Sequence, residues 1–210
     1  VMVHESIKNE LIKEMKRSIN DFYGDDIKVS ESLGRIINEK HFNRLLNILE
    51  SDKESLLYGG EYDEEEKYIA PSIIEVKDWN SACMKEEIFG PILPIMSYRD
   101  LNQVINDINK QPKPLALYLF TSDKRVEKKV LNEISSGGVS INDTILHLAN
   151  SNLPFGGVGN SGMGAYHGEE SFRTFSHRKS VLKKSRVLNT TLMYPPYSDK
   201  KLMVIKRFLK

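Results

Sequence analysis

Ile92-Leu93-Pro94-Ile95-Met96-Ser97-Tyr98 is a short apolar run, and the residues after it set the fold. Asp100 and Gln103 have the spacing of a capping box, which predicts a helix over 101–109. Gln111-Pro112-Lys113-Pro114 ends that helix. Leu115-Ala116-Leu117-Tyr118-Leu119-Phe120-Thr121 is nearly continuous apolar sequence, the kind of strand covered on both faces. Ser122 is placed to cap a charged helix over 123–134, Gly137-Gly138 ends it, and 139–142 reads as a third short strand. Strand, helix, strand, helix, strand with short connections predicts an α/β fold, a parallel sheet with crossover helices. Ligands in such sheets gather at the carboxyl ends of the strands, where Asn142-Asp143-Thr144 falls.

Working outward, the loop just before this unit is Lys85-Glu86-Glu87-Ile88-Phe89-Gly90-Pro91, two carboxylates beside an aromatic ring. Further back, residues 6–24 read as an amphipathic helix with Ile7, Leu11, Ile12, Met15, Ile19, Phe22 and Tyr23 at three- and four-residue spacings, stopped by Gly24. A second helix covers 40–50, with Phe42, Leu45, Leu46 and Leu49 on one face. Residues 55–60 and 68–76 read as strands flanking Asp63-Glu64-Glu65-Glu66, a solvated turn. On the other side, regularity stops from 145 to 164, where five glycines follow Pro154 within nine residues and suit close backbone packing. A short helix comes next at 169–175, then a basic stretch and a basic-apolar end at 200–210.

The whole chain has 210 residues with a net charge of +1, which argues against a dedicated nucleic-acid binder. The sequence shows no membrane-spanning run and no signal peptide. The opening Val1-Met2, leading straight into a strand end and a helix, reads as the start of a fragment.

Several motifs bear on chemistry. Gly157-Val158-Gly159-Asn160-Ser161-Gly162 matches G-x-G-x-x-G, but Pro154 breaks any preceding strand and Arg178-Lys179 stands where a ribose-binding acid belongs. A tight-packing loop is the better reading. Met163 stands where a nucleophile elbow needs glycine. Cys83, the single cysteine, is followed by acids that disfavour a thiolate, so it reads as structural. The five histidines show no metal-ligand spacing, and no metal is expected. His147 draws notice because it sits in a loop at a strand end. For Glu86 and Glu87, adjacent residues on extended backbone point apart, so one inward carboxylate is expected rather than an acid–base pair. Its two oxygens suit vicinal hydroxyls such as a ribose diol, with Phe89 on the same side to pack on a flat ring. A turn capped by Glu87 remains an equal alternative.

Taken together, the segments resemble the aldehyde dehydrogenase superfamily, closely its class 3 and fatty-aldehyde branch. The resemblance rests on Glu86 to Pro94, Pro114 to Tyr118, Ser135 to Val139, Leu153 to Gly168 and Phe175-Ser176-His177, all in family order. It covers most of the chain, to about Ser185.

The resemblance implies oxidation of aldehydes to acids with NAD or NADP. A cysteine thiolate attacks the carbonyl, hydride passes to nicotinamide, and water activated by a glutamate releases the acid. It implies that Glu87 holds the nicotinamide ribose and Phe89 lines the nicotinamide side. Phe155 and His147 would lie on the substrate side. It also implies that nucleophile, base and dinucleotide-binding domain precede this chain, so no catalytic residue is expected here and the chain alone is expected to be inactive. Residues 1–165 would be the carboxyl-terminal part of the catalytic domain, and 166–210 a bridging segment and basic tail. A homodimer in the cytoplasm is expected, with no nucleic-acid partner and peripheral membrane contact through the tail left open. The rival is a non-catalytic truncated paralogue that dimerises with full-length subunits.

Overall fold

The computed structural model describes residues 1–187, 191–192 and 194–208. Parts of the 166–210 segment, including the last two residues of the basic tail, therefore lie outside the described residues. In chain order the elements are β1 (Met2–His4), α1 (Lys8–Tyr23), α2 (Glu39–Ser51), β2 (Leu56–Tyr58), β3 (Tyr62–Asp63), β4 (Tyr68–Ile69) and β5 (Ser72–Glu75). They continue with β6 (Ile92–Tyr98), α3 (Leu101–Asn109), β7 (Ala116–Leu119), α4 (Lys124–Glu133), β8 (Gly138–Ile141), α5 (Leu146–Ala149), α6 (Gly168–Thr174) and α7 (Asp199–Phe208).

The α/β class with parallel strands and helices is as the sequence predicts, but the strands divide differently. β6 does not join β7. It lies in a four-stranded sheet of order β1-β6-β5-β2, parallel to β1 and to β5, with β2 antiparallel at the edge. A strand has two edges, and β1 (Met2↔Met96) and β5 (Ser72↔Ile92) occupy both of those on β6. β7 and β8 form their own parallel pair, Ala116↔Gly138 to Leu119↔Ile141. Alternation of helix and strand in the sequence reveals element type but not which edges are already taken.

Side-chain alternation puts the first sheet between two helices. Ile74 and Ile92 face Phe42, Leu45, Ile48 and Leu49 of α2. Ile73, Ile95 and Val3 face Leu11, Ile12, Met15 and Ile19 of α1. In the second sheet Leu117 and Leu119 pack against Ile105 of α3 and Val130 of α4. The opposite face of β7 is not covered as expected: Tyr118 stays 41% exposed there.

Caps explain where the helices begin. The Asn38 side chain accepts from the His41 amide at 2.9 Å to open α2. Asp100 accepts from Asn102 at 2.9 Å to open α3. For α4 the cap is Asp123, accepting from Arg125 at 2.7 Å, and not Ser122. A carboxylate one residue later answers the first-turn amides better than a hydroxyl, because charge also meets the positive end of the helix. The predicted strand at 68–76 is split into β4 and β5 by Ala70-Pro71. The sequence does not predict α5 and α7; one turn within a glycine-rich loop and a helix in a charged tail leave little periodicity to read.

Candidate functional site

The loop from Lys85 to Pro91 enters β6 at the α2 side of the sheet. Its backbone is not extended: Phe89 has a φ of 47°, in the left-handed region. Strand alternation therefore cannot place Glu87 and Phe89 on one side. What distinguishes the two acids is a cation that the sequence does not single out, Arg44 on α2. Its guanidinium donates to the Glu86 carboxylate at 3.0 Å, to the Glu87 carbonyl at 3.4 Å and to the Ile88 carbonyl at 2.5 Å. Glu86 is thereby paired. The exposed Glu87 carboxylate has no hydrogen bond or ion pair among the described residues. So the capped-turn alternative for the Glu87 side chain has no bond to support it. The Phe89 ring beside it is 79% exposed. A free carboxylate with two acceptor oxygens next to an open aromatic face fits a ribose diol joined to a flat ring.

Cys83, just before this loop, is 2% exposed. Its amide donates to Asp52 Oδ2 at 3.0 Å. Burial, then the hydrogen bond and charge of Asp52, push the thiol up to about 12. Such a thiol stays protonated and is no nucleophile.

A second group gathers on the open face of β7 and β8: Asn142 stands at the carboxyl end of β8, where the sequence pattern places ligands, while the rings lie over Tyr118 and over Gly138 at the start of β8. Asn142 follows β8 with a φ of 56° and ties the two strands together: its Oδ1 accepts from the Thr121 amide at 2.9 Å and its Nδ2 donates to the Thr121 carbonyl at 3.0 Å. Ile145, a β-branched residue at φ 62°, precedes α5, which carries His147. The His147 ring lies 5.9 Å from Tyr118 and 5.9 Å from Phe155. Phe155 in turn stacks on His167 at 5.7 Å and meets Tyr166 edge-on at 5.7 Å. Phe155 and Tyr166 exchange two backbone hydrogen bonds of 2.9 Å, which close the glycine-rich loop into a hairpin. Gly137 explains the glycines there: a Cβ on it would lie 2.2 Å from the Gly156 carbonyl. Both His147 nitrogens are buried without a hydrogen-bond partner, and the ring edge sits on Gly138. In this chain, then, His147 packs against Phe155 and Tyr118, and Tyr118, Tyr166 and His167 are rings to which the sequence pattern assigns no role.

Among the described residues no hydrogen bond or ring contact joins the Glu87–Phe89 loop to this aromatic group, and no cluster of His, Cys, Asp or Glu is arranged to hold a metal.

A family model described as the aldehyde dehydrogenase family matches residues 1–181. The chain belongs to the aldehyde dehydrogenase family. Two relatives from Mus musculus bear this out. "Aldehyde dehydrogenase, dimeric NADP-preferring" is 51% identical over 88% of the chain and 40% of its own length. "Aldehyde dehydrogenase family 3 member A2" is 47% identical over all of the chain and 43% of its own length, in line with the class 3 resemblance. Among solved structures, the substrate-bound state of Staphylococcus aureus AldH superposes with a TM-score of 0.91 at 49% identity, covering all of this chain and 45% of that one. This aldehyde dehydrogenase chain thus spans less than half the length of these relatives.

Proposed function

We propose that the chain is the carboxyl-terminal part of an aldehyde dehydrogenase that oxidises aldehydes to carboxylic acids with NAD or NADP. The observation that carries the site assignment is the division of labour between the paired acids: Arg44 engages Glu86 and leaves Glu87 unpaired beside the open Phe89 ring. In this reading Glu87 accepts the ribose hydroxyls of the nicotinamide nucleotide and Phe89 packs at its ring. When bound, that cofactor accepts hydride. Phe155, Tyr166 and His167 wall the aldehyde side, and His147 supports Phe155. Residues 1–165 form part of the catalytic domain and 166–210 the bridging segment and tail.

Acting alone, the 210-residue chain does not turn over aldehyde, because its one thiol, Cys83, is buried and pushed up to about 12. The test is NADH or NADPH absorbance with purified chain and aldehyde; sustained turnover refutes the inactivity. A joined subunit tests the positive half: this chain replaces the corresponding part of the Staphylococcus aureus relative. Activity is expected, with the Michaelis constant for the cofactor raised by Glu87→Gln.

Two association readings have observations behind them. Val181, Leu182 and Val187 are 77%, 97% and 91% exposed, which favours a homodimer through this segment, as the name of the dimeric relative suggests. Exposed Met203, Val204 and Phe208 share α7 with Lys200, Lys206 and Arg207, which suits an anionic membrane surface. Sedimentation with anionic vesicles that survives removal of residues 200–210 excludes the second.

A further inference from the structure

We infer that Arg44 is a positioning residue for the cofactor loop: α2 sets the geometry of Glu87 and Phe89 through it. The inference rests on the proposed role of those two residues, but its observations are independent of that role. First, the guanidinium reaches three acceptors on three successive residues, Glu86, Glu87 and Ile88. A fork of fixed planar donors holds such a segment in one orientation, where the single point charge of a lysine does not. Second, the bond to the Ile88 carbonyl comes one residue before Phe89, whose φ of 47° is unfavourable for an aromatic L-residue. A conformation of that kind persists only where its surroundings over-determine it. Third, the next residue is held by the same helix. Gly90 lies against Leu45, and a Cβ on it would come 2.5 Å from Leu45 Cδ1. Fourth, the segment before the loop is held at the end of α2, where Asp52 accepts from the Cys83 amide.

α2 therefore grips the loop before, within and after the strained residue. Only the Arg44 contact selects between the acids. By engaging Glu86 it sets which carboxylate is available, and by engaging two carbonyls it fixes where Glu87 and Phe89 stand relative to the buried sheet. The Arg44 side chain is 24% exposed and the Glu86 side chain 54%, so that edge of the clamp is screened by water, while the bond to the Ile88 carbonyl is part-buried.

The test has two arms. In the 210-residue chain, limited proteolysis with a glutamate-specific protease reads the loop directly by cleavage after Glu87. Arg44→Gln is expected to raise that rate about tenfold, with cleavage after Glu54 unchanged. Arg44→Lys is expected to fall between, because an ammonium cannot span all three acceptors. Glu86→Gln, which keeps both carbonyl bonds, is expected to raise it less than Arg44→Gln. A rise of equal factor after Glu87 and Glu54 would mean general destabilisation and overturn the proposal, as would no rise after Glu87. In the joined subunit, Arg44→Gln is expected to raise the Michaelis constant for the nicotinamide cofactor about fivefold or more with kcat within twofold. The Michaelis constant for aldehyde should stay unchanged. If Glu87→Gln raises the cofactor constant and Arg44→Gln does not, the positioning role fails and the site assignment stands. If loop cleavage responds to Arg44→Gln but neither variant changes the cofactor constant, the site assignment fails, and Arg44 is a clamp of the fold only.

Discussion

Cys83 offers a sharp test of how burial governs chemistry in this chain, through the pH dependence of folding. The thiol is 2% exposed, with Asp52 beside it, and is pushed up to about 12 against an ordinary value of 9.0. Between those values the unfolded chain releases a proton that the folded chain keeps. The unfolded state then binds fewer protons, so stability falls as pH rises through this window and is fully present below it. The slope is about 1.4 kcal/mol per pH unit once the unfolded thiol is ionised. At about pH 10.5 the expected loss from this one group is therefore about 2 kcal/mol. Lysines and tyrosines titrate in the same range, so the measurement is a difference. Urea unfolding of the chain and of Cys83→Ala, at about pH 7.5 and pH 10.5, cancels their contributions. The substitution costs a roughly constant 1–2 kcal/mol of packing at the lower pH. That cost should shrink or reverse sign by about 2 kcal/mol at the higher one. A difference independent of pH would refute the reasoning. So would rapid modification of the native thiol by a disulfide reagent at about pH 8, faster than the chain unfolds.

Other perturbations address the second sheet and the tail. Gly137→Ala puts a Cβ 2.2 Å from the Gly156 carbonyl and 2.6 Å from that of Leu115, backbone on both sides; a loss of about 1–3 kcal/mol is expected in urea unfolding, and a neutral result would show that the glycine-rich loop packs elsewhere. Asn142→Ala removes both bonds to Thr121 and leaves alanine at φ 56°. It should cost about 2 kcal/mol and loosen proteolytic protection around residues 142–150; unchanged stability and protection would refute its role in tying β7 to β8. Light scattering should give twice the 24.0 kDa of the monomer, with Leu182→Asp shifting the chain toward monomer; a monomer at all concentrations would refute the dimer.

The helices and strands are legible in the sequence because period and breakers coincide. Leu11, Ile12, Met15 and Ile19 mark the buried face of α1, and Phe42, Leu45 and Leu49 that of α2, as the core shows. Strand adjacency is not legible in the same way. The run 92–98 looks like the first strand of one parallel unit, yet β1, ninety residues earlier, fills its outer edge. Register across such a separation depends on which faces two helices bury together, information no local window holds. The same limit applies to the caps: Ser122 and Asp123 are both competent by residue type, and it is the Asp123 carboxylate that takes the first-turn amide.

The candidate site shows a subtler limit. Glu86-Glu87 and Phe89 stand out as chemistry-bearing by residue type, but the alternation that would orient them requires an extended backbone. The chain instead turns through the left-handed region at Phe89. The orientation is imposed from 42 residues away by Arg44, a side chain on the edge of a helix face whose neighbour Leu45 is wholly buried. A charged residue abutting a core position is a signal of this kind: its stem is committed to the interior edge, so its head group reaches whatever backbone passes there. On the same helix, that distinction separates Arg44 from Lys40, which is exposed at the first turn. The site is thus specified jointly, by residue type in the loop and by helix register in α2. A one-residue slip of α2 would replace Arg44 at the loop by Asn43 or Leu45 and lose the fork that pairs with Glu86. That makes the register of an ordinary packing helix part of what determines the geometry of this loop.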